Sequence, residues 1–585
     1  MTFRALVLVP AVLLLGLTAL AQRPANAPAT APGGTPPDTV FLEELTWAET
    51  RDLIKGGWTN VIIGTAGTEQ KGPHMVDGEH KFVMTYSAER IARAMGKTLV
   101  APIVTYVPEG SWETRGGHMG KPGTITLPEE RFVDLLVNAG RSLKAGGFTN
   151  VWFIGESGGN RTGMRSAAEK LNAMWGGSAK AYWVDDYYTK AHRDQEVWAA
   201  RFLGVPENQV GNHANILDTS ELLFVAPQHI RTDRLTGNDY ENNGVSGNNQ
   251  SKASPEVGKA LLQIKFDLAM AQIGRMQSGA EGPVPAAPGG PGGNGPRPGA
   301  GRPGAGGPGR AAQAAAAGPR RPTMETAPAS KTPTHPPDTL FIDELTWEET
   351  RDLMKAGKTT VIVPTGGTEK NGYHMVLGKH NYVVTYGANL MARRLGNALI
   401  APTLQYVPEG DPDRQNQGAI SVPSPAYDAI LDAAARSLQA HGFSEILFIG
   451  DSGPNQAGMT AVAKALNEEW KDAGTRVFAL TDYYERSREH YRAWLEAAYG
   501  YPDATVGAHA GISDTSQMLF IHPDGIRTDR IQPWGGPADS GVSGDPSLAT
   551  AEIGRMGILF KVNAGLNQYR LIKNPPRQGG RPGAR

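Results

Sequence analysis

The phrase GTEQKGPHMVDGEHKFV at residues 67–83 returns as GTEKNGYHMVLGKHNYV at residues 367–383. The echo runs much further. PDTVFLEELTWAETRDL is answered by PDTLFIDELTWEETRDL, APIVTYVPEG by APTLQYVPEG, and GFTNVWFIGESGGN by GFSEILFIGDSGPN. NHANILDTSELLFVAP is answered by AHAGISDTSQMLFIHP, and IRTDR and GVSG occur in both halves. Each unit is roughly 235 residues long, far beyond the period of a solenoid repeat, so this is a duplicated domain. The 585 residues also exceed what one hydrophobic core supports. The pattern predicts one domain over 36–275 and a second over 336–575, each with its own core and each able to fold alone.

Between them, 276–335 is dominated by Gly, Pro and Ala, which bury too little apolar surface to offset chain entropy. It reads as a flexible tether, and 576–585 reads as a tail of the same kind. The N-terminus, MTFRALVLVPAVLLLGLTALAQ, has a basic start, a short apolar stretch and an Ala-Leu-Ala site. That is the pattern of a secretory signal peptide over 1–21, so the mature chain is expected to be periplasmic or secreted, with no stable membrane association after cleavage. There is no Cys, so an exported chain has no disulfides, and any metal must be held by His and carboxylates. A formal net charge of -1 argues against nucleic acid as a partner.

Inside a unit, apolar runs alternate with helical patterns. TNVIIGTAG, TLVAPIV, NVWFIGES and AKAYWVDDYY read as buried strands. TWAETRDLIKGG, TYSAERIARAMG, LPEERFVDLLVNAGRSLKAGG and RTGMRSAAEKLNAMWGG read as helices, with Thr46 and Glu49 as a capping box on the first. This alternation predicts an α/β fold with a mostly parallel sheet, whose sites lie beyond the carboxyl ends of the strands.

Four groups of residues sit where such a site would form. Glu69, His74 and His80, repeated as Glu369, His374 and His380, offer one carboxylate and two imidazoles after a strand. They are candidate ligands for Zn or a similar divalent ion, or turn residues bonded to backbone. The GESGGN turn carries Glu156 and Ser157 and presents backbone N–H groups to an anion, or simply joins two elements. Ser157 reads only weakly as an acyl nucleophile. His213 and Asp218 stand five residues apart and suit proton transfer or the support of a ligand, or a helix cap. His118, in GGHMGKPGTITL, has no counterpart in the second unit.

Taken in order, E-x-x-G-P-H-M, P-G-T-I-T-L, G-x-S-G-G-N and H-A-x-x-x-D-T-S resemble the creatininase (creatinine amidohydrolase) family across nearly all of both units. The resemblance implies a three-layer α/β/α fold, duplicated in tandem. It also implies a carboxylate-and-histidine centre for Zn or Mn, and hydrolysis of amide C–N bonds in a small-molecule substrate. Glu69 and Glu369 match the family's ligand Glu. Its next ligand His falls at Lys71 and Asn371, its metal-bridging Asp at His80 and His380, and a further ligand His at Ser157 and Ser452. A neutral imidazole does not bridge two cations as a carboxylate does, and Lys71 places an ammonium where a second ion would sit. The expectation is therefore at most one divalent ion per unit, held by Glu69 and His80 with help from His74 or Glu156. The alternative is no ion, with Lys71 supplying the charge. His213 matches the late catalytic His, and His213 or Glu156 would move protons. The rival reading is a binding or oligomer-forming protein with an incomplete metal site, a fused pair imitating a homo-oligomer. The first unit is the one expected to act, because it keeps His118 and the full SGGN turn, whereas Pro454 replaces Gly159 in the second.

Overall fold

A computed structural model describes residues 38–285 and 338–575. The expected signal peptide (1–21), the tail (576–585) and most of the expected tether lie outside the described residues. Among the described residues no helix is long and apolar enough to cross a membrane.

Each unit is built on four parallel strands. In the first these are β1 (Asn60–Thr65), β2 (Thr98–Val100), β3 (Asn150–Gly155) and β4 (Lys180–Trp183), in the order β2-β1-β3-β4. In the second, β5 (Thr360–Thr365), β6 (Ala398–Ile400), β7 (Glu445–Gly450) and β8 (Arg476–Ala479) take the order β6-β5-β7-β8. Alternate side chains of a strand point to opposite faces, and the burial follows that rule. Val61, Ile63, Val151 and Phe153 pack with α3 (Glu129–Ala145) and α4 (Arg161–Trp175). Ile62, Val100, Trp152 and Ile154 pack with α2 (Glu79–Met95) and a long helix, Pro255–Gln277, on the other side. This is the three-layer α/β/α fold, present twice.

The capping box predicted at Thr46 is formed. Its hydroxyl accepts from Glu49 N at 3.2 Å, and Glu49 Oε2 accepts from Thr46 N at 2.8 Å, at the start of α1 (Trp47–Lys55). Two expectations need correcting. Helix α2 starts at Glu79, six residues before the helical pattern in TYSAERIARAMG, so His80 rides its first turn instead of the Gly-rich loop. The tether does not begin at 276: the long helix runs through Gln277, the Pro283 carbonyl accepts from Trp183 N at 3.0 Å, and Val284 packs on the core.

The larger correction concerns independence. One continuous apolar cluster contains Val61, Phe153 and Tyr106 of the first unit together with Val361, Phe448 and Tyr406 of the second. The polar contacts across the boundary come in matched pairs. Tyr106 Oη donates to Pro402 O at 2.6 Å, and Tyr406 Oη to Pro102 O at 2.5 Å. Asp77 N donates to Leu345 O and Leu377 N to Leu45 O, both at 2.8 Å. Arg231 holds Glu349 at 2.7 and 2.9 Å, and Arg527 holds Glu49 at 2.9 and 3.1 Å. The units are therefore related by a pseudo-twofold axis and share a core. The repeated IRTDR phrase is explained: its first Arg clamps the capping-box Glu of the other unit.

Candidate functional site

Strands β1 and β3 are neighbours in register, Thr65 against Gly155, and the order of the sheet reverses between them. Such a switch point opens a crevice at the carboxyl edge. Glu69 leaves β1 there and Glu156 leaves β3. Gly67 has no side chain because Glu109 fills its place: a Cβ there would stand 1.7 Å from Glu109 Oε1.

Glu69 is buried and central. Its Oε1 lies 2.8 Å from His80 Nε2, 3.1 Å from Lys71 Nζ and 3.6 Å from His213 Nδ1. Its Oε2 stands 3.1 Å from His118 Nε2 but accepts no hydrogen bond of good geometry. Burial disfavours its charge, but His118, Lys71 and His80 outweigh burial and hold it well below the usual carboxylate range. Lys71, also buried, reaches Glu79 at 3.2 Å and Asp218 at 3.5 Å as well as Glu69. Burial works against its ammonium; Asp218, Glu79 and Glu69 more than compensate and push it well above the ordinary Lys value.

His80 hydrogen-bonds Glu69 through Nε2 at 2.8 Å, and its Nδ1 stands 3.0 Å from Glu79 Oε2 without hydrogen-bond geometry. Against burial and Lys71, Glu79 and Glu69 raise it to about 9. Its Nε2 is spent on the Glu69 carboxylate itself, so it stands as a hydrogen-bond partner of Glu69 and not as a co-ligand beside it. His74 faces away from Glu69, with Nε2 2.9 Å from Thr219 Oγ1, and burial lowers it to about 4. The structure therefore does not gather Glu69, His74 and His80 as one ligand set. The donors that converge are Glu69, His118 and His213, whose ligand atoms all lie within 4.8 Å of one another.

That set suits one divalent ion. His213 Nε2 donates to Gln70 O at 2.6 Å, which leaves its Nδ1 lone pair toward Glu69. Burial and the neighbouring His118 hold His213 well below 6.5, in the neutral form a metal needs. His118 is also lowered by burial, and its Nδ1 is 3.2 Å from Tyr240 Oη, a contact that orients the ring. Ala214, directly after His213, is held at φ 50, as Ala510 is in the second unit. Left-handed backbone at a non-Gly residue costs roughly 1 kcal/mol or more and marks an imposed geometry. Here Asp218 Oδ2 accepts from Ala214 N at 2.8 Å and fixes the turn that aims His213.

Glu156 belongs to a neighbouring network. It is bonded to Tyr187 Oη and to Lys265 Nζ, and Lys265 also reaches Glu221 at 2.5 Å. Ser157 Oγ accepts from Gly159 N at 3.3 Å within its turn. Sequence reasoning missed Lys265 and Glu109. Burial and the nearby Glu69 push Glu109 well above the carboxylate range. The verbatim repeat of YVPEG carried the signal for Glu109; a Lys within an apolar helix carried it for Lys265.

The second unit solves the same electrostatic problem differently. Asn371 stands where Lys71 does, and its amide is used on the Glu369 and Val376 carbonyls at 3.0 and 3.2 Å. The ammonium comes instead from Lys379, at the position of Glu79, and lies 3.3 Å from Asp514 and 3.7 Å from Glu369. His380 is committed twice, 2.7 Å from Glu369 and 2.7 Å from Asp451, and is again raised to about 9. Glu369, His380 and Glu409 also cluster within 4.8 Å. An imidazolium held by two carboxylates does not fit a metal site, however. His374 bonds Thr515 Oγ1 at 2.8 Å and takes no part. This unit lacks the His118 loop, and its Glu369 side chain is 20% exposed against 2% for Glu69. A cavity of about 370 Å³ opens over Glu369, His380, Asp451 and His509.

The creatinine amidohydrolase (creatininase) sequence model matches residues 43–273 and again 343–563. Among curated relatives, creatinine amidohydrolase of Pseudomonas putida is 26% identical over 204 residues, 33% of this chain and 75% of its own length. The mycofactocin precursor peptide peptidase of Mycolicibacterium smegmatis is 28% identical over 241 residues, 37% of this chain and 87% of its own. A crystal structure of creatinine amidohydrolase (creatininase) is matched over 100% of its length and 41% of this chain, at 22% identity and a TM-score of 0.35.

Proposed function

The chain belongs to the creatinine amidohydrolase (creatininase) family, and from that premise we propose that it hydrolyses an amide C–N bond of a small molecule in its first unit, outside the cytoplasm. The observation that carries this reading is the convergence of Glu69, His118 and His213, one ionised carboxylate and two neutral imidazoles. They would hold one divalent cation, with Zn or Mn both compatible with the donor set. When bound, the cation supplies Lewis acidity toward the substrate carbonyl and lowers the pKa of water. Lys71 would provide fixed positive charge beside Glu69 in place of a second ion. Glu109, whose carboxyl is pushed well above the usual range by burial, would supply a proton to a departing amine nitrogen. Export rests on the N-terminal sequence alone.

The test is elemental analysis of the full chain prepared without chelator, alongside a panel of cyclic and linear amides. One equivalent of Zn or Mn per chain is expected. His118→Ala with His213→Ala should lose both metal and turnover, while His380→Ala should leave metal content unchanged. Absence of metal together with absence of turnover across the panel would overturn the proposal, as would two or more equivalents.

A further inference from the structure

The cavity of the second unit has a different chemistry from the first site. Its floor is charge-paired internally: Lys379 with Asp514 at 3.3 Å, Lys561 with Asp451 at 2.8 Å, and His380 between Glu369 and Asp451. Each of these carboxylates already has a cationic partner within the floor. The wall is formed by the helix Glu485–Tyr499, which brings Arg488 and Arg492 to the cavity one turn apart on one face. The partners of Arg488 are the Tyr484 hydroxyl at 3.1 Å and the Ala508 carbonyl at 3.4 Å, both uncharged. Arg492 meets the Gly507 carbonyl at 2.5 Å and Asp503 at 3.2 Å, and that Asp side chain is 73% exposed. An exposed pair of this kind holds a guanidinium only weakly. The matching helix of the first unit, Thr189–Leu203, carries His192 and Glu196 at these positions, 3.5 Å from each other. The guanidinium pair is therefore particular to the second unit, and so is the shortened loop that opens the cavity.

We propose that this cavity is a metal-independent binding site for a small carboxylate, gripped by Arg488 and Arg492 above the paired floor. Two guanidiniums on one helix face present planar forks that match carboxylate oxygens. Glu369, Asp451 and Asp514 beneath them disfavour an anion whose charge is concentrated on one centre, such as phosphate. The site stands apart from the hydrolysis proposed for the first unit and does not depend on it.

Isothermal titration of the full chain in EDTA tests it, with succinate as probe and with succinamide and inorganic phosphate as comparisons. Succinate should bind saturably at one site, about tenfold or more tighter than either comparison. Arg488→Gln with Arg492→Gln should weaken succinate about tenfold or more, whereas Arg488→Lys with Arg492→Lys, which keeps the charge, should lose less. His192→Gln with Glu196→Gln in the first unit should change nothing. No succinate binding in EDTA, equal binding of succinamide, tighter binding of phosphate, or an unaffected Gln variant would each overturn the proposal. If the Gln variant fails to fold, the succinamide comparison and the Lys variant still decide it.

Discussion

Without its ammonium, Lys71 would leave Glu69, Glu79 and Asp218 facing one buried point with only His80 between them. Breaking a buried ion pair from one side costs about 3–5 kcal/mol, so Lys71→Asn should lower unfolding free energy by that order. The second unit shows the compensation, because Asn371 is accompanied there by Lys379. Adding Glu79→Lys to Lys71→Asn should recover most of the loss in denaturant titrations. A harmless single change, or a double variant no better than the single, would contradict the charge-exchange account. The same residues set a pH response. His80 and His380 are raised from 6.5 to about 9 in the folded chain. The stability they add is fully present below about pH 6.5 and is lost as pH rises through about 9, on the order of 3 kcal/mol each at 1.36 kcal/mol per unit. Unfolding free energy should fall between those values, and His80→Gln with His380→Gln should flatten the slope there.

At the level of elements, each α1-type capping box does two jobs. Thr346 and Glu349 cap the helix Trp347–Lys355, and Glu349 also receives Arg231 of the first unit. Thr346→Ala removes only the cap and should cost about 1 kcal/mol. Glu349→Ala removes the cap and strands a buried guanidinium, so it should cost about 3 kcal/mol or more. Equal costs in thermal or denaturant unfolding would mean that the cross-unit pair contributes nothing. The box itself was legible, because capping depends on residues three apart. So were the strands and most helices, which follow from apolar period. The early start of α2 was not legible, since its first residues, Glu79, His80 and Lys81, are as polar as the loop before them. His118 meeting Glu69 and His213 was not legible either, because three loops far apart in sequence meet only once the sheet has formed. Nor does sequence position reveal that Lys71 and Lys379, eight residues out of register in the repeat, place their ammoniums among equivalent carboxylates.

For the whole molecule, duplication suggested two self-sufficient domains, and the shared core argues otherwise. Tyr106, Tyr406 and the sheet residues of both units belong to one apolar cluster, and the cross-boundary hydrogen bonds bury their donors and acceptors. Separating the units would expose those apolar groups and strand the buried Arg–Glu pairs, which marginal domain stability does not withstand. The full chain should therefore unfold in one calorimetric transition, with calorimetric and van't Hoff enthalpies in agreement. Residues 38–285 expressed alone should not remain a monomer. The pseudo-twofold axis dictates what they do instead: Arg231 of one copy can take Glu49 of another, as Arg527 takes Glu49 in the intact chain, and Tyr106 can reach Pro102 of that copy. The contacts that do not transfer are those of the divergent loop, such as Arg141 with Asp413. A self-associated dimer, less stable than the intact chain and dissociating on dilution, is the expected species by sedimentation velocity. A monomeric fragment with its own sharp melting transition would show that the duplicated unit is self-sufficient and that the shared cluster is dispensable.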